Sequence, residues 1–138
     1  MRIISLDVGD KTIGIAMSDL TGTLATGLTT IRRTSLEKDL DTLTKIVDEY
    51  TVDSIIIGLP KNMNGSLGER AQKSIDLAKI LEERFQSVTV KLWDERLSTV
   101  AAEKVLISAD LRREKRKKII DMMAAVVILQ NYLDSTKN

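Results

Sequence analysis

An α/β domain, built on a mixed five-stranded sheet of order 3-2-1-4-5 with helices on both faces, is what this chain of 138 residues predicts. Three observations lead there. The chain opens with short apolar runs separated by glycine-containing turns, the mark of antiparallel hairpins. Two later apolar runs then alternate with segments of helical periodicity, the mark of parallel strands joined by crossover helices. The right-handed crossover rule finally returns strand 4 beside strand 1, which makes strand 1 central. The length suits one domain, residues 1–138, able to bury about two-thirds of its unfolded surface.

The elements follow in order. Ile3-Ile4-Ser5-Leu6 and Val8 form an apolar run, broken at Gly9-Asp10-Lys11 and resumed at Ile13-Gly14-Ile15-Ala16-Met17, which reads as a hairpin. After the Thr21-Gly22 turn, a third strand is expected from Leu24 to Ile31. Ser35 has the chemistry of a helix N-cap, although Lys38 stands where a capping-box Glu would sit. From Leu36, the positions Leu40, Leu43, Ile46, Val47 and Tyr50 keep helical spacing. Val52–Ile57 is β-branched and ends at Gly58-Leu59-Pro60, as a buried parallel strand would. A loop, KNMNGSLG, leads into a helix from Glu69 to Arg84. Val88, Val90 and Leu92 alternate with polar residues as a fifth strand ending near Trp93-Asp94-Glu95. A helix capped by Ser98 or Thr99 should reach Ile107, and a last one should run from Lys115 to Leu133.

Composition narrows the chemistry. There is no Cys and no His, which removes disulfides, thiolate nucleophiles, imidazole-bound zinc and histidine acid–base catalysis. Carboxylates, cationic side chains, hydroxyls and oxygen-ligated cations remain. The opening MRIISLDVGD meets an acid at Asp7, so it lacks an apolar signal core, and no apolar run nears the roughly 20 residues that span a bilayer. A cytoplasmic protein without membrane association is expected. Net charge is +1 but uneven: residues 1–69 carry 7 basic and 10 acidic side chains, residues 70–138 carry 14 and 10. Six of the seven residues Arg112, Arg113, Glu114, Lys115, Arg116, Lys117 and Lys118 are cationic, which suggests a local site for a polyanion. Aromatic residues make up only 3%, so base stacking is not the main binding mode.

Three acids stand out. Asp7 lies at the carboxyl end of the central strand, where ligands gather in open α/β sheets, and on its face it follows Ile3 and Ser5. A carboxylate there is costly to desolvate unless compensated. Asp121 precedes Ala125, Ile128 and Tyr132 on one stripe of the last helix, within about 40° of each at 100° per residue. A cation would resolve its burial; an ion pair with a lysine is the alternative. Asp94-Glu95-Arg96 follows the fifth strand, where a solvated turn is the plainer interpretation. Together the acids make an oxygen-only donor set suited to Mg²⁺ or Mn²⁺. Two such ions can activate water and stabilise the leaving oxygen in phosphodiester hydrolysis.

LDVGDKTIGIAMSD (6–19), GLPKNMNGSLGERA (58–71), DERLST (94–99) and DMMAAVVILQNYL (121–133) resemble the four signature blocks of the YqgF (RuvX) family, in the same order over nearly the whole chain. The resemblance implies a RuvC-like, ribonuclease H-type fold. It implies a metal-dependent nuclease that processes the 5′ end of pre-16S ribosomal RNA in ribosome biogenesis, or one that resolves Holliday junctions. By motif, Asp7, Glu95 and Asp121 would be the catalytic, metal-binding acids, with Asp94 a candidate helper and either Glu95 or a metal-bound water setting up in-line attack. Lys11 and Arg96 would lie near substrate phosphates, and Lys61, Asn62 and Arg70 would line the nucleic-acid groove. Two departures are visible. Thr12 stands where many members carry a second basic residue. The strand-4 end has no carboxylate, so Glu95 must lean inward across two strand spacings, about 9–10 Å.

Other classes compete. LDVGDKTIGIA also resembles the first phosphate motif of the actin/sugar-kinase superfamily, but the chain has length for one of its two domains and no second Gly-rich phosphate segment. A non-catalytic RNA- or ribosome-binding module is the other alternative; retention of all three acids argues against it. The expected partner is nucleic acid, pre-rRNA or branched DNA, bound by a monomer or a homodimer.

Overall fold

A computed structural model describes residues 2–62, 64–95 and 113–136, and for 113–121 the backbone alone. The element order is β1 (Arg2–Val8), β2 (Thr12–Ser18), β3 (Ala25–Arg32), α1 (Leu36–Tyr50), β4 (Val52–Leu59), α2 (Glu69–Arg84), β5 (Thr89–Asp94) and α3 (Arg113–Ser135). The strands form one sheet of order β3-β2-β1-β4-β5. The two hairpin pairings are antiparallel, and β1–β4 and β4–β5 are parallel, as the crossovers require. The expected helix from Ser98 or Thr99 to Ile107 lies outside the described residues.

Boundaries move by a residue or two. β3 spans 25–32 instead of 24–31. β4 does not stop before Gly58: Gly58 and Leu59 stay in the ladder, opposite Trp93 and Asp94, so β5 is also longer than its apolar pattern. α2 begins and ends where the sequence places it. α1 is capped as expected, with Ser35 Oγ accepting from the Lys38 N–H at 3.2 Å. It stops at Thr51, whose left-handed φ of 51° turns the chain straight into β4.

The alternation in β1 sorts the core into two layers. Ile4, Leu6 and Val8 pack with Leu43, Ile46, Leu77 and Leu81 of α1 and α2. Ile3, with Ala16 and Ile56, packs beneath Ala124, Ala125, Ile128 and Leu129 of α3. The two alanines, both fully buried, let α3 lie close to the sheet. There the Ser5 hydroxyl donates to the Ala125 carbonyl at 2.6 Å. Among the described residues no helix is long and apolar enough to cross a membrane.

Candidate active site

Asp7 belongs to the α3 face of the central strand and is 4% exposed. It sits in a row that crosses the sheet. On one side Asp7 pairs with Gly14, and Gly14 with Thr30. On the other, the β1–β4 register, set by Leu6 against Ile57, continues to place Gly58 beside Asp7, and Gly58 pairs with Trp93. The carboxylate thus has a glycine on either flank, and no Cβ crowds it. The ends of the row are polar. Thr30 Oγ1 and Trp93 Nε1 are buried and have no hydrogen-bond partner among the described residues.

Glu95 follows β5 in a helical turn, two residues beyond Trp93, and its side chain comes back over β4. A Cβ placed on Gly58 would lie 3.0 Å from Glu95 Oε2 and 3.2 Å from its carboxyl carbon. The glycine is therefore a cradle for that carboxylate, whose Oε2 is buried. The distance across two strands is bridged by the length of a Glu and the missing side chain at Gly58. The Glu95 carboxylate thus reaches β4, the strand beside Asp7, without strand 4 supplying an acid.

α3 runs antiparallel to β1 and β3. Gln130 meets the start of β3, its Oε1 accepting from the Ala25 N–H at 2.9 Å, while Met122 packs against Gly27 further along. Ser5 fixes Ala125 over β1. One helical turn back from Ala125 is about 6 Å, and two residues on from Ser5 is about 6.6 Å, so backbone position 121 stands over Asp7. The side chain of Asp121 lies outside the described ones, and among the described residues no three carboxylates converge.

Cations approach from the β4–α2 segment. Arg70, in the first turn of α2, brings a guanidinium nitrogen within 3.8 Å of Asp7 Oδ1, and it donates to the Val8 carbonyl at 3.4 Å. Lys61 Nζ lies 3.7 Å from Asp94 Oδ2. The adjacent acid is thereby committed to an ion pair. Lys73 bonds Asp10 in the β1–β2 turn, which holds the Asp10 carboxyl below its ordinary range. Lys11 is exposed on that same turn. Asn62 uses its side chain within its own loop, donating to Ser66 Oγ at 3.0 Å. Arg96 and Arg112 fall outside the described residues. Arg113, Lys115, Arg116, Lys117 and Lys118 lie on the first turns of α3, with only their backbone described.

Two contributions escaped sequence reading. Gly58 looked like a strand terminator, and only the β4–β5 register shows it beneath Glu95. Arg33 and Asp39 carry no motif and drew no expectation from the sequence, yet Asp39 is 3% exposed and accepts from Arg33 Nε at 3.2 Å. Arg33 also donates to the Gly9 carbonyl at 3.0 Å, and its backbone N–H to the Lys11 carbonyl at 2.8 Å. This pair braces the turn that follows Asp7. The buried acid at position 39, on the helix face shared with Leu40 and Leu43, was the available signal.

Known proteins agree with this architecture. The fowlpox virus resolvase, solved with Holliday junction DNA, superposes with a TM-score of 0.60 over all of both chains at 14% identity. Thermus thermophilus RuvC, solved with a Holliday junction substrate, gives 0.62 over 98% of this chain and 95% of that one, at 10% identity. Among sequence relatives, a Thermoanaerobacter pseudethanolicus protein provisionally named a pre-16S rRNA nuclease is 60% identical over 139 residues, covering 100% of this chain and 99% of its own. One from Desulforamulus reducens with the same provisional name is 56% identical over 135 residues, 98% of each. The RuvX family model, described as Holliday junction resolvase, matches residues 1–135. With the RNase H-like sheet, the paired acids at its centre and these full-length matches in agreement, the chain belongs to the RuvX family.

Proposed function

We propose that this chain is a cytoplasmic, divalent-cation-dependent nuclease that hydrolyses phosphodiester bonds at the 5′ end of pre-16S rRNA. The observation that carries the reading is the seating of the Glu95 carboxylate over Gly58, beside buried Asp7. Two carboxylates in one desolvated place are unfavourable without a cation. The hard oxygen donors and the open cradle at Gly58 fit Mg²⁺ or Mn²⁺, which Asp7, Glu95 and Asp121 would hold. When bound, such ions make water a nucleophile near neutral pH and stabilise the leaving oxygen.

The chain's own residues supply the rest. The β1 ladder and its flanking glycines fix Asp7 in one orientation. Glu95 orients the attacking water by accepting its hydrogen bond, and the glycine beneath it sets how far it reaches. Lys11 and the basic start of α3 neutralise backbone phosphates, which positions a structured substrate without reading its bases. RNA is favoured over branched DNA because the relatives at 54–60% identity carry the rRNA name, while the junction-bound structures share only 10–14%. Junction resolution is the second reading, favoured by the family's own description.

The test is cleavage with Mn²⁺ of a 5′-extended 16S RNA fragment and of a DNA four-way junction, by wild type and Asp7→Asn. We expect the RNA to be cut and the variant to be at least about 100-fold slower. Cleavage of the junction alone would move the second reading to first place. Equal cutting by both proteins would refute the site, and RNA binding without cutting by either would favour a binding module.

A further inference from the structure

Within the described residues, Asp7 and Asp39 are alike in burial, at 4% and 3% exposed, and each has an arginine beside it. The two pairs are built differently. Arg33 hydrogen-bonds Asp39 at 3.2 Å and the Gly9 carbonyl at 3.0 Å, and its side chain is 23% exposed. Arg70 approaches Asp7 only to 3.8 Å, beyond hydrogen-bond length, and its second contact, with Val8, is long at 3.4 Å. Its side chain is 50% exposed. The first is a structural brace. The second is a charge held near a carboxylate without a hydrogen bond to it, anchored only by the long contact with Val8, on a flexible stem reaching in from solvent.

We propose that Arg70 is a built-in counter-ion for Asp7 that a divalent cation displaces on binding. The inference rests on the reading of Asp7 as a metal ligand. Without metal, the buried carboxylate needs a compensating positive charge, and Arg70 provides it without the hydrogen bonds that would make the pair permanent. A cation at Asp7 meets the guanidinium as a like charge and drives it outward, which its exposure and long contacts allow. Arg70 thus opposes metal binding, whereas an arginine that merely lines a groove would leave that affinity unchanged.

The experiment is calorimetric titration of Mn²⁺ into the full chain, with a thermal melt of each protein with and without the ion. Arg70→Gln is expected to bind Mn²⁺ more tightly by roughly two- to tenfold, since a half-exposed charge is partly screened. It should also melt lower than wild type without metal and gain more on adding it. Arg70→Lys, which keeps the charge, should stay within about twofold of wild type. Lys73→Gln, which removes a charge paired with Asp10 instead, should change Mn²⁺ affinity less than Arg70→Gln does. Unchanged or weaker binding by Arg70→Gln, with binding abolished in Asp7→Asn, would overturn the displacement and leave the metal site standing. Equal tightening by Lys73→Gln would overturn it too, as an effect of net charge. Wild-type affinity in Asp7→Asn would remove the metal site itself and the proposal with it.

Discussion

Replacing Gly58 by alanine adds one methyl group at the point where two structural requirements meet. The new Cβ would lie 2.6 Å from Ile128 Cδ1 and 3.0 Å from Glu95 Oε2. Ile128 is fully buried, so its methyl has nowhere to retreat without moving α3. Overpacking of this kind costs about 1–3 kcal/mol, offset by roughly 0.5–1 from replacing glycine inside a strand. A net loss of up to about 2.5 kcal/mol follows. At an unfolding entropy of about 2.1 cal/mol/K per residue, 138 residues lose roughly 3–4 °C per kcal/mol, so Tm should fall by no more than about 9 °C. Cleavage should suffer more than stability. Glu95 must swing off its cradle, and a misplacement near 1 Å costs on the order of 10- to 100-fold. Pairing the change with Ile128→Val separates the two effects, because valine lacks the clashing Cδ1. In that background Gly58→Ala should cost little further Tm, while cleavage stays low. Wild-type cleavage by Gly58→Ala at intact stability would show that the seat over Gly58 is not where Glu95 acts.

Three further outcomes are expected. Arg33→Gln strands the buried Asp39 carboxylate and loosens the β1–β2 turn, so urea melts should show a loss of about 2 kcal/mol, below the full buried-pair value because Arg33 is partly exposed; an unchanged midpoint would deny the brace. Thr51→Gly relieves a β-branched residue held at φ 51° and should raise stability by about 0.5–1 kcal/mol in the same assay, whereas a loss would mean that the Thr51 side chain is needed. Asp19 is held below its ordinary value of 3.8, chiefly by the Thr23 backbone N–H and then by the Thr21 hydroxyl. Its contribution is therefore complete above the unfolded-state value and lost as pH falls through the lower folded one. NMR titration should show the Thr23 amide shifting with a midpoint below 3.8, and a midpoint at or above 3.8 would contradict the loop geometry.

The sheet order was legible because β-branched runs, turn glycines and crossover handedness leave few topologies, and the two faces of β1 followed from alternation alone. Asp7 was legible for the same reason, as a charge on a strand that had to be buried. Glu95 was harder. Its residue type and its motif marked it, yet the sequence placed it two strands away, and what brings it home is a residue with no side chain at all. A glycine's contribution of that kind is invisible until the register tells which neighbour fills its space. The Arg33–Asp39 brace was obscured differently, because two charges six apart across a strand–helix junction carry no periodic signature.

Glu95 stands just beyond β5, and among the described strands β5 is hydrogen-bonded on one side only, to β4. An outer strand of this kind can peel away at less than the free energy of global unfolding, because among the described residues it has a ladder on one side only, with α2 and Tyr132 of α3, which meets Trp93 and Lys91, packed on its faces. Asp7, by contrast, is flanked by ladders on both sides. The two acids therefore differ in persistence. On the proposed reading, fraying of β5 would carry Glu95 away from Asp7 while the rest of the molecule stays folded, and anything that clamps that outer edge would keep the two acids together.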